Sequence, residues 1–262
     1  MFQSIYFSVR DKELKFYEKL DDWWSPTGPQ GQLHKFNKVR VNFIRKNILN
    51  DVKPAESQEQ LFGKMKVLDI GCGAGLLSES LGRIGMGSVT GIDPTHKCVQ
   101  LAETHLQLDS ELAKRVQYKN TTIESLIEEK LSLHRVKSVD QLKNDELYDV
   151  VCLSEVIEHA SNQEEFLKTC IKLVKPETGY FFMSTIAKTP EMAEYIMRMV
   201  PVGTHEWNQY INPEDIENIL GPQGYRTVAK AGAMISNPIT FEMDEFPNWL
   251  RGNYMMLFKR LM

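Results

Sequence analysis

The sequence predicts a doubly wound α/β fold: a mostly parallel sheet with helices on both faces and a helical cap at the N-terminus. Three observations carry this. From Met65 onward, short aliphatic runs alternate with segments of helical period. The first run ends in a glycine-rich turn, Gly71-Cys72-Gly73-Ala74-Gly75. The second ends in an acid, Asp93, one strand–helix–strand unit further on.

The elements follow in order. Residues 13–20 are charged and amphipathic and predict a helix, broken by Asp22-Trp23-Trp24-Ser25-Pro26. Leu33, Phe36, Val39, Val41, Phe43 and Ile44 recur at roughly helical spacing and predict a second helix through Leu49. Residues 51–60 read as a polar linker, so residues 1–60 form the cap and 61–262 the main domain. Strands are expected at 66–70, 89–93, 116–119, 148–153 and 180–184, with helices at 76–84, 95–108 and largely over 155–174. The polar stretch 128–146 reads as a surface insertion. Beyond Glu191 come a helix, a turn at 200–205, and strand-like pieces ending at 253–259.

Composition narrows the function class. A 262-residue chain that is 42% hydrophobic and 25% charged is globular and long enough to bury a sizeable core. Its net charge of −4 gives no reason to expect nucleic acid as a partner. The four cysteines, Cys72, Cys98, Cys152 and Cys170, are widely spaced and form no CxxC pair, which points to a reducing compartment rather than a disulfide framework. No apolar run is long enough to span a bilayer. Residues 1–10 read as neither a secretory signal nor a transit peptide.

The most informative run is Val67 through Gly75. Glycines at 71, 73 and 75 let backbone approach a ligand and take positive φ. A dinucleotide fingerprint would read GxGxxG, with pyrophosphate on the following helix. Here the spacing is GxGxG, and Asp69 lies inside the preceding strand. An aspartate there suits a ligand with positive charge, which favours S-adenosylmethionine (SAM) over NAD. Asp93 is placed to accept both ribose hydroxyls. The alternative for both features is a tight turn and a helix-capping acid.

After the fourth strand, Glu155, Glu158 and His159 stand at i, i+3 and i+4, which predicts one shared helical face at the ligand end of the sheet. Two carboxylates and an imidazole can hold a divalent ion; the acids favour Mg²⁺ or Mn²⁺, and the histidine admits Zn²⁺ or Fe²⁺. The alternative is acids facing a helix dipole.

The glycine run resembles motif I of class I SAM-dependent methyltransferases, whose Rossmann-like sheet has seven strands with a reversed final hairpin. Further segments resemble the ubiquinone-biosynthesis O-methyltransferase family in particular. They include Trp23-Trp24 with Gly28-Pro29, the run from Leu33 to Asn37 with Arg40, Ser154-Glu155-Val156-Ile157-Glu158-His159, Ala193-Glu194-Tyr195-Ile196, the run from Val200 to Trp207, Asn237-Pro238-Ile239 and Asn253-Tyr254-Met255. The resemblance implies O-methylation of polyprenylated catechols. It implies Arg40 on the methionyl carboxylate, Ser154 at the cofactor, and Glu155, Glu158 and His159 as Mg²⁺ ligands. Metal coordination favours the phenolate, which attacks the sulfonium methyl; His159 or His205 is the candidate to take the proton. Thr122 and Ile123 follow the third strand, where such folds grip adenine. It further implies peripheral attachment to the matrix side of the mitochondrial inner membrane, or a bacterial cytoplasm, and association with other ubiquinone-biosynthesis proteins.

The chain departs from the family twice: residues 186–192 are shorter and lack an asparagine, and residues 128–146 are inserted. The membrane contact is expected at residues 192–200, and the shortened segment motivates another reading, a methyltransferase-like scaffold subunit of a mitochondrial inner-membrane assembly with reduced or no activity; fold alone also leaves open an enzyme for another small acceptor.

Overall fold

A computed structural model describes residues 22–28, 30–53, 56–189, 209–237 and 239–261. Its centre is one eight-stranded sheet: β1 (Lys66–Ile70), β2 (Ser88–Asp93), β3 (Val116–Asn120), β4 (Val150–Ser154), β5 (Tyr180–Ile186), β6 (Tyr225–Asn237), β7 (Glu242–Phe246) and β8 (Asn253–Arg260). The spatial order is β3-β2-β1-β4-β5-β8-β6-β7. The first five strands are parallel, and β8 runs antiparallel between β5 and β6. The order reverses between β1 and β4. Ligands of open α/β sheets sit at the carboxyl ends of strands at such a reversal.

Strand alternation divides the core in two. On one face Val67, Val150, Cys152, Tyr180, Phe182, Met255 and Leu257 pack with α1 (Gly31–Val52), α3 (Leu76–Arg83) and α4 (His96–Leu106). On the other, Leu68, Ile70, Val151, Leu153, Phe181, Met183 and Tyr254 pack with α5 (Ile123–His134), α6 (Gln163–Cys170) and α7 (Pro213–Leu220). A short α2 (Gln58–Phe62) leads into β1. The expected α1 is present, and Phe36, Val39, Phe43, Ile44 and Ile48 form its buried stripe. At the end of α1, Asp51 accepts hydrogen bonds from Tyr180, Lys259 and Arg226, which ties the cap helix to β5, β8 and β6.

Two expectations are corrected and a third is refined. The sheet has eight strands rather than seven: β7 pairs with β6 at the edge, where Met243 turns onto the α1 side of the core and Glu245 pairs with Lys46 of α1. Residues 155–174 are not one helix. Glu155 has φ +56°, only a 3₁₀ turn follows at Ile157–His159, and α6 starts after Asn162 caps Glu165 N–H. The stretch 128–146 is mostly exposed, as a polar surface insertion should be, but it is anchored to the core. Its first part completes α5, and Leu142 is buried in the core while Leu131, Val136 and Val139 pack against it. The helix expected at 13–20 lies outside the described residues, as do residues 190–208. Among the described residues no helix is long and apolar enough to cross a membrane. All four cysteines are buried free thiols, and burial raises each above its usual pKa.

Candidate active site

The glycine turn joins β1 to α3 with Gly71, Gly73 and Gly75 at φ +71°, +53° and +89°, which side chains rarely adopt. The backbone N–H groups of Gly71 and Cys72 both donate to the Ile92 carbonyl. Asp93 holds the turn from the next strand: one carboxylate oxygen accepts from Gly73 N–H at 3.0 Å, the other from Thr95 N–H at 2.8 Å. Asp93 therefore anchors the loop directly, a contact beyond the helix-capping alternative to ribose binding. Burial raises its pKa against those two bonds. Asp69 is also buried and points at α3, where Ser78 Oγ donates to it at 2.6 Å; burial pushes its carboxyl up to about 6.

The two tryptophans close over this turn. The Trp23 ring lies 3.3 Å from where a Cβ on Gly73 would stand. The Trp24 indole donates to the Ala74 carbonyl at 3.1 Å, and its ring stacks on His105 with centroids 3.4 Å apart. His105 Nδ1 lies 2.8 Å from the buried Glu79, which also pairs with Arg83. Beside the turn lies a shallow cleft lined by Gly71, Pro94, Thr121, Thr122, Glu124 and Val156, among others. Both Glu124 oxygens are buried without a hydrogen-bond partner.

Arg40 projects from α1 and is buried. Its Nη1 donates to Ser154 Oγ at 2.6 Å and its Nη2 to Asn37 Oδ1 at 3.2 Å, while Nε is buried without a partner. Burial disfavours its charge, and Glu155 and Asp69 counter that effect. Ser154 Oγ lies 2.7 Å from Ser184 Oγ, and Ser184 donates to Glu155 at 2.7 Å. Asn253 donates to the other Glu155 oxygen at 3.3 Å. Thr185 donates to Glu158 at 2.8 Å, and the second Glu158 oxygen is buried without a partner. Burial and then the Glu158 charge push the Glu155 carboxyl up to about 7.

The expected three-ligand set is not assembled: among the described residues no three His, Cys, Asp or Glu side chains gather where they could hold a metal. The reason lies in the backbone. Without a helix at 155–159 the i, i+3, i+4 argument lapses. Ser184 and Thr185, consecutive residues of β5, instead hold the Glu155 and Glu158 carboxylates. His159 is buried in the 3₁₀ turn. His205 lies outside the described residues. The sequence reading missed Ser184, Thr185, Glu124 and the Asn253 contact. The signal was present for two of them: Ser184-Thr185 breaks the apolar run Tyr180-Phe181-Phe182-Met183 at the ligand end of the sheet.

A profile of the methyltransferase domain matches residues 42–230. Magnesium protoporphyrin IX methyltransferase from Synechocystis with bound SAM superposes with a TM-score of 0.55 at 17% identity, covering 97% of this chain and 93% of that one. The fold and the glycine turn thus define a methyltransferase. Among curated proteins, the mitochondrial ubiquinone biosynthesis O-methyltransferase of Dictyostelium discoideum is 37% identical over 93% of this chain and 76% of its own length. The ubiquinone biosynthesis O-methyltransferase of Rhizobium etli is 36% identical over 94% of this chain and 93% of its length. The chain belongs to the ubiquinone biosynthesis O-methyltransferases. It spans 65% of the mitochondrial rat member, to which it is 38% identical.

Proposed function

We propose that the chain methylates a catechol oxygen on polyprenylated intermediates of ubiquinone biosynthesis, with SAM as methyl donor. Family membership supports the reaction, and the observation that carries the site is the buried Glu155–Glu158 pair at the end of β4, beside the glycine turn of β1. Bound SAM supplies an electrophilic methyl group on a sulfonium. The open Nε of Arg40 suits its carboxylate, and the cleft by Thr122 suits its base. The Trp23–Trp24 clasp covers part of the glycine turn.

Glu155 and Glu158 anchor the acceptor hydroxyls. The unpartnered Glu158 oxygen and the ligand chemistry of two carboxylates fit Mg²⁺, which is usually held by one or two acids, substrate and water. Mg²⁺ held there would favour the ionised catechol oxygen. The reading includes peripheral work at a membrane surface through residues 192–200, on the matrix side of the mitochondrial inner membrane or in a bacterial cytoplasm. It also includes docking with other ubiquinone-biosynthesis proteins.

The test is methyl transfer from labelled SAM to a short-chain polyprenyl catechol, with and without Mg²⁺. Turnover should fall at least 100-fold, as order of magnitude, in Glu155→Ala and Glu158→Ala, with S-adenosylhomocysteine (SAH) affinity retained. Chelator-resistant turnover in the unaltered protein would remove the metal from this reading. Absence of any transfer would remove the reaction.

A further inference from the structure

Arg40, Ser154, Ser184 and Glu155 form one continuous hydrogen-bonded chain, with successive distances of 2.6, 2.7 and 2.7 Å. With Glu155 ionised, its direction follows from chemistry. A guanidinium only donates and an ionised carboxylate only accepts. Arg40 donates to Ser154, and Ser184 spends its single proton on Glu155, so Ser154 must donate to Ser184. The chain crosses from α1 over β4 and β5 to the turn after β4. Strand alternation puts Ser154 and Ser184 on the α1 side, in step with Cys152 and Phe182. Ser184 is fully buried, so water does not compete for its hydroxyl. The far end is closed, because Glu155 also accepts from Asn253 of β8. The near end is open: Arg40 Nε is buried and without a partner.

We infer that Ser184 is a positioning residue that couples the cofactor end of the site to the acceptor end. The inference rests on the proposed reaction. A carboxylate seated on Arg40 Nε fixes the guanidinium plane, and a fixed guanidinium fixes the two hydroxyl rotors and the Glu155 carboxylate. The acceptor then meets a preorganised anchor, so the two ligands bind with positive cooperativity. Linkage requires the effect to be reciprocal, and such couplings typically run from about 5-fold to 150-fold.

The experiment is calorimetric titration of a short-chain polyprenyl catechol into the protein at constant Mg²⁺, with and without saturating SAH. In the unaltered protein SAH should tighten catechol binding by about 5-fold or more, and catechol should tighten SAH by the same factor. Ser184→Ala should reduce that factor to below about twofold while still unfolding in one cooperative transition and keeping its affinity for SAH alone; Ser184→Thr, which keeps a hydroxyl, should restore the coupling. Ser154→Ala with Ser184→Ala should lose no more coupling than either change alone, because one chain is cut either way. An arm that leaves the protein unaltered uses an SAH analogue lacking the carboxylate, which should bind without tightening the catechol. The inference is overturned if folded Ser184→Ala keeps the full factor, or if the carboxylate-free analogue couples as well as SAH. It is also overturned if the unaltered protein shows no coupling while still transferring methyl groups, a result that leaves the proposed reaction standing. Failure of both binding and transfer would instead remove the reaction itself.

Discussion

Gly71 and Val156 offer the sharpest test of how the two halves of the site meet. A Cβ added at Gly71 would stand 2.5 Å from Val156 Cγ2 and 3.2 Å from Cγ1, but 3.4 Å from Val156 Cβ. Gly71→Ala therefore carries two costs. A side chain at φ +71° costs about 1–2 kcal/mol, and the overlap adds about 1–3 kcal/mol of overpacking. The sum is roughly 2–5 kcal/mol. Val156→Ala alone removes two buried methyl groups, at about 0.8 kcal/mol each. In the double variant the overlap is gone and only ordinary contact with Cβ remains, so the double should be less destabilised than the sum of singles by about 1–3 kcal/mol. Urea unfolding of the four proteins gives the cycle, and SAH titration shows whether the relieved loop regains its ligand. Additivity within about 0.5 kcal/mol would refute the claim that the turn after β4 is packed directly on the glycine turn.

Three further outcomes are expected. Asp93→Ala should lower SAH affinity and stability together, by about 1–3 kcal/mol for each backbone N–H left unsatisfied; weaker binding with an unchanged melting temperature would show that the acid serves the ligand alone. Glu124→Met should stabilise the ligand-free protein, since removal of two buried, unpartnered oxygens at about 1–3 kcal/mol exceeds the loss of about 0.3–1 kcal/mol from the α5 dipole, and differential scanning calorimetry should show a rise of a few degrees at ~2–4 °C per kcal/mol. Asp51 is opposed by burial, but hydrogen bonds from Lys259, Tyr180 and Arg226 hold its carboxyl well below the usual range. A depressed folded pKa contributes stability above the unfolded value, about 4, and that stability is lost as pH falls toward the folded value. Denaturation profiles of Asp51→Asn and the unaltered protein should thus differ most near neutrality and converge in strong acid.

The parallel core was legible because its cause is local. Lys66–Ile70 and Val150–Ser154 are short, apolar and bounded by turn residues, and nothing distant alters that pattern. The eighth strand was not, because Glu242–Phe246 is held by tertiary contacts: the ladder to β6 and the Met243 and Glu245 contacts on the α1 side. The anchoring of the exposed stretch 128–146 was not legible for a related reason. Its apolar residues Leu131, Val136, Val139 and Leu142 are spread among charges at no helical or strand period, so their burial follows only from where α5 delivers them. Glycine turn and Asp93 were readable as a pair. The bond between them, Gly73 N–H to Asp93, needed the register of β1 on β2 to be seen.

The failure at Glu155 has a different meaning. Its sequence surroundings suit a helix, and a helical start would have put Glu155, Glu158 and His159 on one face. The chain instead places Glu155 at φ +56°, a conformation that costs a residue with a side chain about 1–2 kcal/mol. Three contacts hold it there: its N–H donates to the Ser184 carbonyl at 2.9 Å, and its carboxylate accepts from Ser184 and Asn253. Two come from β5 and one from β8, so the turn after β4 is shaped by the neighbouring strands rather than by its own sequence. A helix would have satisfied local propensity and aimed Glu155 along the helix face. The left-handed residue aims it at Ser184, on the same sheet face as Ser154 and Arg40. Local rules in a folded chain are broken where the tertiary structure over-determines the alternative, and such places concentrate at functional sites. At Glu155 the broken rule is what joins the acid pair to the arginine beside the glycine turn.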